Sequence, residues 1–301
     1  MSDSALTSCW GRFMLDLPPN ARTRSTFISG GARVLTTAAV APEGVEQLLQ
    51  ARETELAARP HGTGGSMLVE RYALSERHQV IVSWSSAMGK RTQRYEEFQY
   101  FPDGRVLFRF ESQGDATAAA RERARVSQAK FGAAMRVREP AVMPTEPGFC
   151  VERGFVAGSA LNREEVEAVI SFPAMAHVSM AFKSIVTRNP EPALLERVRE
   201  LPADLADQSS GIAVVRRTMR TLDGLEGSEV VVEERDEGRT SHEFAWEFPG
   251  KVDSLAAPFL KLGMTLDEGA LGEEGEFRDL EEAIEFWHGI TASLRLRPGA
   301  V

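Results

Sequence analysis

One pattern occurs twice in this chain. Arg91-Thr92 opens RTQRYEEFQYFPDG and Arg239-Thr240 opens RTSHEFAWEFPG, so an aromatic strand ending at Phe-Pro and a turn glycine appears in both halves. The segment AAMRVREP, ending at Pro140, is matched by ASLRLRP, ending at Pro298, 158 residues later. That interval is one domain's length. The sequence therefore predicts two related domains, 1–143 and 144–301, produced by internal duplication. A solenoid does not fit, because the period far exceeds 50 residues and the pattern occurs only twice.

Local patterning supplies the elements. A strand is expected from Trp10 to Leu17, stopped by Pro18-Pro19, and a second over Ala32–Val40. Pro42 suits the first turn of a helix, and Val45, Leu48, Leu49, Arg52 and Leu56 follow at helical spacing up to Pro60. Strands are then expected at 67–73, 79–85, 91–101 and 106–111, followed by an alanine-rich helix from Asp115 to about Met135. The linker Ala141–Gly148 carries two prolines, which makes it short and stiff. The second half repeats this order, with strands at 149–156, 165–172, 178–187, 212–218, 228–234, 241–248 and 255–264. A helix is expected from Pro190 to Leu201, and a closing helix from Phe277 that sets Leu280, Ile284, Trp287 and Ile290 on one stripe. Meandering strands with helices at intervals describe an α+β fold, each half a mostly antiparallel sheet covered by helices.

Charge narrows the partners. A net charge of −9 repels phosphate backbones and anionic lipid surfaces, so neither nucleic acid nor a membrane is expected as a partner. The N-terminus MSDSALTSCWGRF has neither a basic n-region nor an apolar segment. As written, this points to the cytosol or to a sequence trimmed of its export signal. Two cysteines, Cys9 and Cys150, each stand near the first strand of a half. They are either bridged or two buried thiols; closing a loop of that length would stabilise by about 5 kcal/mol in the chain-entropy model.

Catalytic motifs are missing. No G-x-S-x-G, H-E-x-x-H or C-x-x-C occurs, and the five histidines have no ligand spacing. No cofactor or metal is expected, and His177 and His242 read as satisfied strand histidines. GTGGS at 62–66 lacks the Gly-Lys-Ser/Thr ending of a phosphate cradle and reads as a connector. The acidic stretch 267–276 fails as a calcium loop, because its twelfth position is Arg278. It is either a solvated loop or a contact surface carried by Asp267, Glu268, Glu273, Glu274 and Glu276. Arg136, Arg138, Arg295 and Arg297 are expected to cap helix C-termini or to pair with carboxylates.

CWGRFMLDLP at the start, PGFCVERGFV opening the second half and ASLRLRP at the end resemble signature stretches of bacterial immunity proteins. These proteins neutralise type VI secretion lipase effectors, and the resemblance is to those paired with the fourth effector class. It spans Cys9 to Pro298. It implies a non-enzymatic inhibitor, a monomer forming a heterodimer with its cognate lipase effector. Two related domains would grip the toxin, occluding its active-site entrance or immobilising its lid. It also implies the periplasm, and an interface above about 1,600 Å² in total. Two rival readings are a hydrolase or transferase with a site assembled from scattered residues, and a scaffold component of the secretion apparatus.

Overall fold

Period-two alternation builds most of this chain. The computed structural model describes residues 5–159, 163–199 and 211–301. The first elements are β1 (Leu6–Trp10), β2 (Phe13–Leu17), β3 (Arg22–Ser29), β4 (Ala32–Thr37), α1 (Pro42–Ala58) and β5 (Leu68–Ser75). They are followed by β6 (His78–Ser86), β7 (Gly89–Phe101), β8 (Val106–Asp115), α2 (Ala118–Ala134), β9 (Met135–Val137), β10 (Gly148–Val151) and β11 (Gly154–Ala157). Then come β12 (Glu165–Phe172), β13 (Met175–Ile185), α3 (Leu194–Arg199), β14 (Ile212–Leu222) and β15 (Leu225–Asp236). The chain closes with β16 (Arg239–Phe248), β17 (Phe259–Leu266), α4 (Leu280–Thr291) and β18 (Arg295–Leu296).

Two units emerge, and neither is a simple half of the sequence. The early unit holds Thr26–Pro144 and Gly148–Gly158; the late unit holds Met1–Ser25, Thr145–Pro147 and Ser159–Val301. The division expected between 143 and 144 falls where the chain passes from one unit to the other, yet each unit also takes a hairpin from across it. The cause is strand pairing: β18 pairs with β2, and β9 pairs with β11.

In the early unit the strands run in the order β3-β4-β8-β7-β6-β5, with antiparallel neighbours. Helix α1 drops Leu49 and Leu56 onto Ile81, Phe98, Tyr100 and Leu107. Fully burying side chains of this kind is worth about 1.5–3 kcal/mol each. Arg52 fixes the helix further, its Nε lying 3.0 Å from the Glu96 carboxylate on β7. The opposite face lies under α2, which Thr117 caps by accepting from Ala120 N–H at 3.2 Å. Phe131 of that helix meets Phe110 edge-on at 4.9 Å, and Gln99 Nε2 donates to the Gly132 carbonyl at 2.8 Å.

The late unit runs β12-β13-β17-β16-β15-β14, again antiparallel. As the alternation predicts, Phe244, Trp246 and Phe248 are buried on one face. Helix α4 covers that face with Ala283, Ile284, Trp287 and Ile290, and Trp287 lies 6.0 Å from Phe244. Asp279 caps the helix through Glu282 N–H at 2.9 Å. A mostly antiparallel α+β fold is thus what the chain adopts.

Several expectations need correction. The single strands read at 10–17 and 149–156 are both hairpins, β1-β2 and β10-β11. Glycine and charged residues at 11–12 and 152–153 make turns inside what looked like continuous apolar runs. Strand β3 has no apolar alternation to announce it, because RTRSTF is polar and mostly exposed. The helix expected at 190–201 is described only as Leu194–Arg199, and residues 200–201 lie outside the described residues. Two of the paired arginines give their guanidinium protons to loop carbonyls. Arg138 donates to the Pro140 and Val142 carbonyls at 3.0 and 3.1 Å, and Arg297 to the Glu146 carbonyl at 3.0 Å. Arg136 stacks over the Phe155 ring at 4.6 Å, and Arg295 pairs with the carboxylate of Asp16 at 3.0 Å.

Candidate partner-binding surface

The second face of the late sheet is solvent-facing across β12, β13, β17 and β16. Its middle row aligns Val169, Ala181, Gly263 and Ala245 in register, with Val169 57% exposed. One flanking row is Ser171, Ser179, Thr265 and Glu243, where Thr265 Oγ1 donates to Glu243 at 3.1 Å. The other is Glu167, Lys183, Lys261 and Glu247, with Lys183 Nζ 2.5 Å from Glu167. Small side chains in the middle and charges at the sides make a flat, polar-rimmed surface, as a one-sided antiparallel sheet allows.

A pocket of about 320 Å³ opens at the Lys183–Lys261 end, bounded by Thr187, Asn189 and Phe259. Glu247 sits here, only 4% of its side chain exposed, and is paired with Arg197 from α3. On the same side of β16 Glu243 is exposed, whereas Glu247 is buried where Arg197 of the short helix pairs with it.

The acidic stretch borders the same unit as a folded turn system. Asp267 N–H donates to the His177 carbonyl, Phe277 N–H to Ala270 and Gly272 N–H to Phe277, each between 2.9 and 3.0 Å. Ala270 and Phe277 are buried beneath it. Gly275 is required by this path, since a Cβ there would lie 2.6 Å from the Ala270 carbonyl oxygen. Glu276 faces inward and accepts from both the backbone N–H of His177 at 3.1 Å and its Nδ1 at 3.0 Å. Burial pushes this carboxyl up, and the His177 donors outweigh it, leaving Glu276 below the ordinary glutamate value. The five acids thus divide by role. Glu276 is an anchor and Glu268 faces Arg239 at 3.4 Å, while Asp267, Glu273 and Glu274 project outward.

Among the described residues no cluster of three or more His, Cys, Asp or Glu side chains is arranged to hold a metal. The strand histidines are satisfied, His177 by Glu276 and His242 by Glu233 at 3.5 Å. His61 closes the glycine-rich connector, its Nδ1 accepting from Thr63 N–H at 3.1 Å. Cys9 and Cys150 are both disulfide-bonded, and neither is a free thiol.

The family model described as the Tle cognate immunity protein 4 C-terminal domain matches residues 142–299. The chain belongs to this family. Its members are immunity proteins rather than enzymes, paired with type VI secretion lipase effectors. Solved structures extend the likeness over the full length. The apo immunity protein TplEi of the type VI secretion system of Pseudomonas aeruginosa superposes with a TM-score of 0.87 at 26% identity, covering 98% of this chain and 97% of that one. The Tle4-Tli4 complex gives 0.88 at 25% identity over 99% of both chains. TplEi complexed with an "L" peptide gives 0.82 at 24% identity over 99% of this chain and all of the other, a likeness of fold. No curated protein sequence matches this chain.

Proposed function

We propose that this protein binds a cognate type VI secreted lipase effector and inhibits it by occluding its active-site entrance or locking its lid. Family membership carries the reading, together with a relative whose solved structure is a Tle4-Tli4 complex. A sheet face lined by Val169, Ala181, Gly263 and Ala245, next to outward carboxylates at Asp267, Glu273 and Glu274, offers contact area without catalytic groups. The matching strand orders β3-β4-β8-β7-β6-β5 and β12-β13-β17-β16-β15-β14 support descent of the two bodies from one duplicated ancestor. Two kindred lobes then act on one partner.

The reading places the protein in the periplasm, where a secreted phospholipase meets its substrate; among the described residues no helix is long and apolar enough to cross a membrane. The deciding experiment mixes purified protein with the lipase encoded beside its gene. A one-to-one complex and loss of lipase activity are expected. Absence of a complex at micromolar concentration rejects the reading, and a complex that retains full activity rejects occlusion and lid locking.

A further inference from the structure

Each unit carries a small three-stranded sheet, and the two are assembled differently. In the early unit it is β10-β11-β9, drawn from one stretch of chain. In the late unit it is β1-β2-β18, so a hairpin from the start of the chain is completed by a strand from its end.

The two clasps match in detail. Cys9 opposes Met14 and Trp10 opposes Phe13 in one hairpin; Cys150 opposes Phe155 and Val151 opposes Gly154 in the other. The backbone N–H of Arg297 donates to the Arg12 carbonyl in one turn at 2.8 Å, and that of Arg138 to the Arg153 carbonyl in the other at 2.9 Å. Both arginines are buried, and both give their guanidinium protons to backbone carbonyls. One device is therefore built twice, once from neighbouring residues and once from the two chain ends.

The end-to-end version carries a buried ion pair. Arg12 Nε and Nη2 each lie 2.7 Å from the Glu164 carboxylate, with both side chains 5% exposed or less, and Nη1 also donates to the Ala300 carbonyl. Asp16 accepts from both Nη atoms of Arg295 at 3.0 Å, and its backbone N–H donates to Ser293 Oγ at 2.9 Å. Phe13, Leu15 and Leu17 are buried, and Trp10 stacks on Phe182 of β13 at 5.6 Å.

We infer that residues 6–17 are a closing strap for the late unit: the N-terminal hairpin completes the body formed by residues 163–301, while the early body is completed by β10-β11. The folding units are thus a circular permutation of the sequence repeat. The late unit closes only when the chain ends meet, which makes it the more non-local and the slower of the two to form. The candidate partner surface lies on the unit that the strap closes, so the N-terminus governs a surface far from it in sequence.

Amide hydrogen exchange on the full-length, disulfide-intact protein tests this, because exchange reads the stability of each unit separately. Arg12→Ala leaves Glu164 buried without its partner and is expected to speed exchange in β13, β16 and β17 on the order of a hundredfold. The milder Asp16→Asn, which removes a half-exposed pair, is expected to do so about fivefold. In both, β6, β7 and β8 keep their wild-type protection. Phe155→Leu in the other hairpin is expected to do the reverse, loosening β6–β8 and sparing β13, β16 and β17. The inference is overturned if the strap variants loosen β6–β8 as much as β13–β17, if they leave β13–β17 unchanged, or if Phe155→Leu acts on the late unit instead.

Discussion

Replacing Glu229 with glutamine tests the electrostatic centre of the late unit. This carboxylate is fully buried on β15 and is surrounded by donors: Arg220 Nη1, Trp287 Nε1 and His288 Nε2 at 3.0 Å and Arg216 Nε at 3.3 Å. It joins the edge strand β14 to helix α4. A glutamine keeps the shape but removes the charge, and its amide group points donors at donors. Arg216 is 39% exposed and can turn to water, whereas Arg220 is 17% exposed and also donates to Thr291 Oγ1 at 2.7 Å. Losing the charged acceptor beneath Arg220 and Trp287 is expected to cost about 3–5 kcal/mol. For a unit of this size that lowers Tm by about 10 °C.

The pH dependence separates this explanation from simple mispacking. Burial pushes the Glu229 carboxyl up, but the hydrogen bonds from His288, Trp287 and Arg220 together hold it below its ordinary value of 4.5. A carboxyl lowered in the folded state contributes stability that is fully present above its unfolded value and is lost as the pH falls through the folded one. The difference between wild type and Glu229→Gln should therefore be constant near neutrality and shrink as the pH falls below the ordinary glutamate value of 4.5. Urea titrations at a series of pH values measure it. A loss under about 0.5 kcal/mol at pH 7, or a difference that persists unchanged into acid, would refute the argument.

Gly227→Ala places a Cβ about 2.5 Å from the ring of Trp246, which is fully buried, and overpacking of this kind is expected to cost about 1–3 kcal/mol; an unchanged urea midpoint would contradict it. Glu273→Lys with Glu274→Lys alters two exposed side chains, so Tm should hold, while association with a lipase effector slows about tenfold at low salt and the gap closes at high salt. An unchanged association rate would assign the acidic loop to solvent. A thiol assay on the unfolded, unreduced protein should find none, and two after reduction; two before reduction would exclude the disulfide.

Features with a local cause were legible in the sequence. The alternation in SHEFAWEF buries Phe244, Trp246 and Phe248, and the stripe 284, 287, 290 becomes the buried side of α4. The family resemblance was legible too, because order and spacing along the chain need no coordinates. What the sequence withheld was non-local or depended on a neighbour. The burial of Glu247 required α3, and the polar β3 acquired its place by pairing with β4.

Composition and period alone determined a mostly antiparallel α+β chain with no metal or nucleophile motif, since each follows from residue types at fixed local spacing. Only the tertiary structure decided which hairpin completes which body. Pairing β18 with β2 rather than with a nearer strand is a choice among edges of similar local pattern, fixed by the Arg12–Glu164 and Asp16–Arg295 pairs and by side chains that lie almost a full chain length apart. A repeat in sequence sets what each element is; contacts between the ends set where it goes.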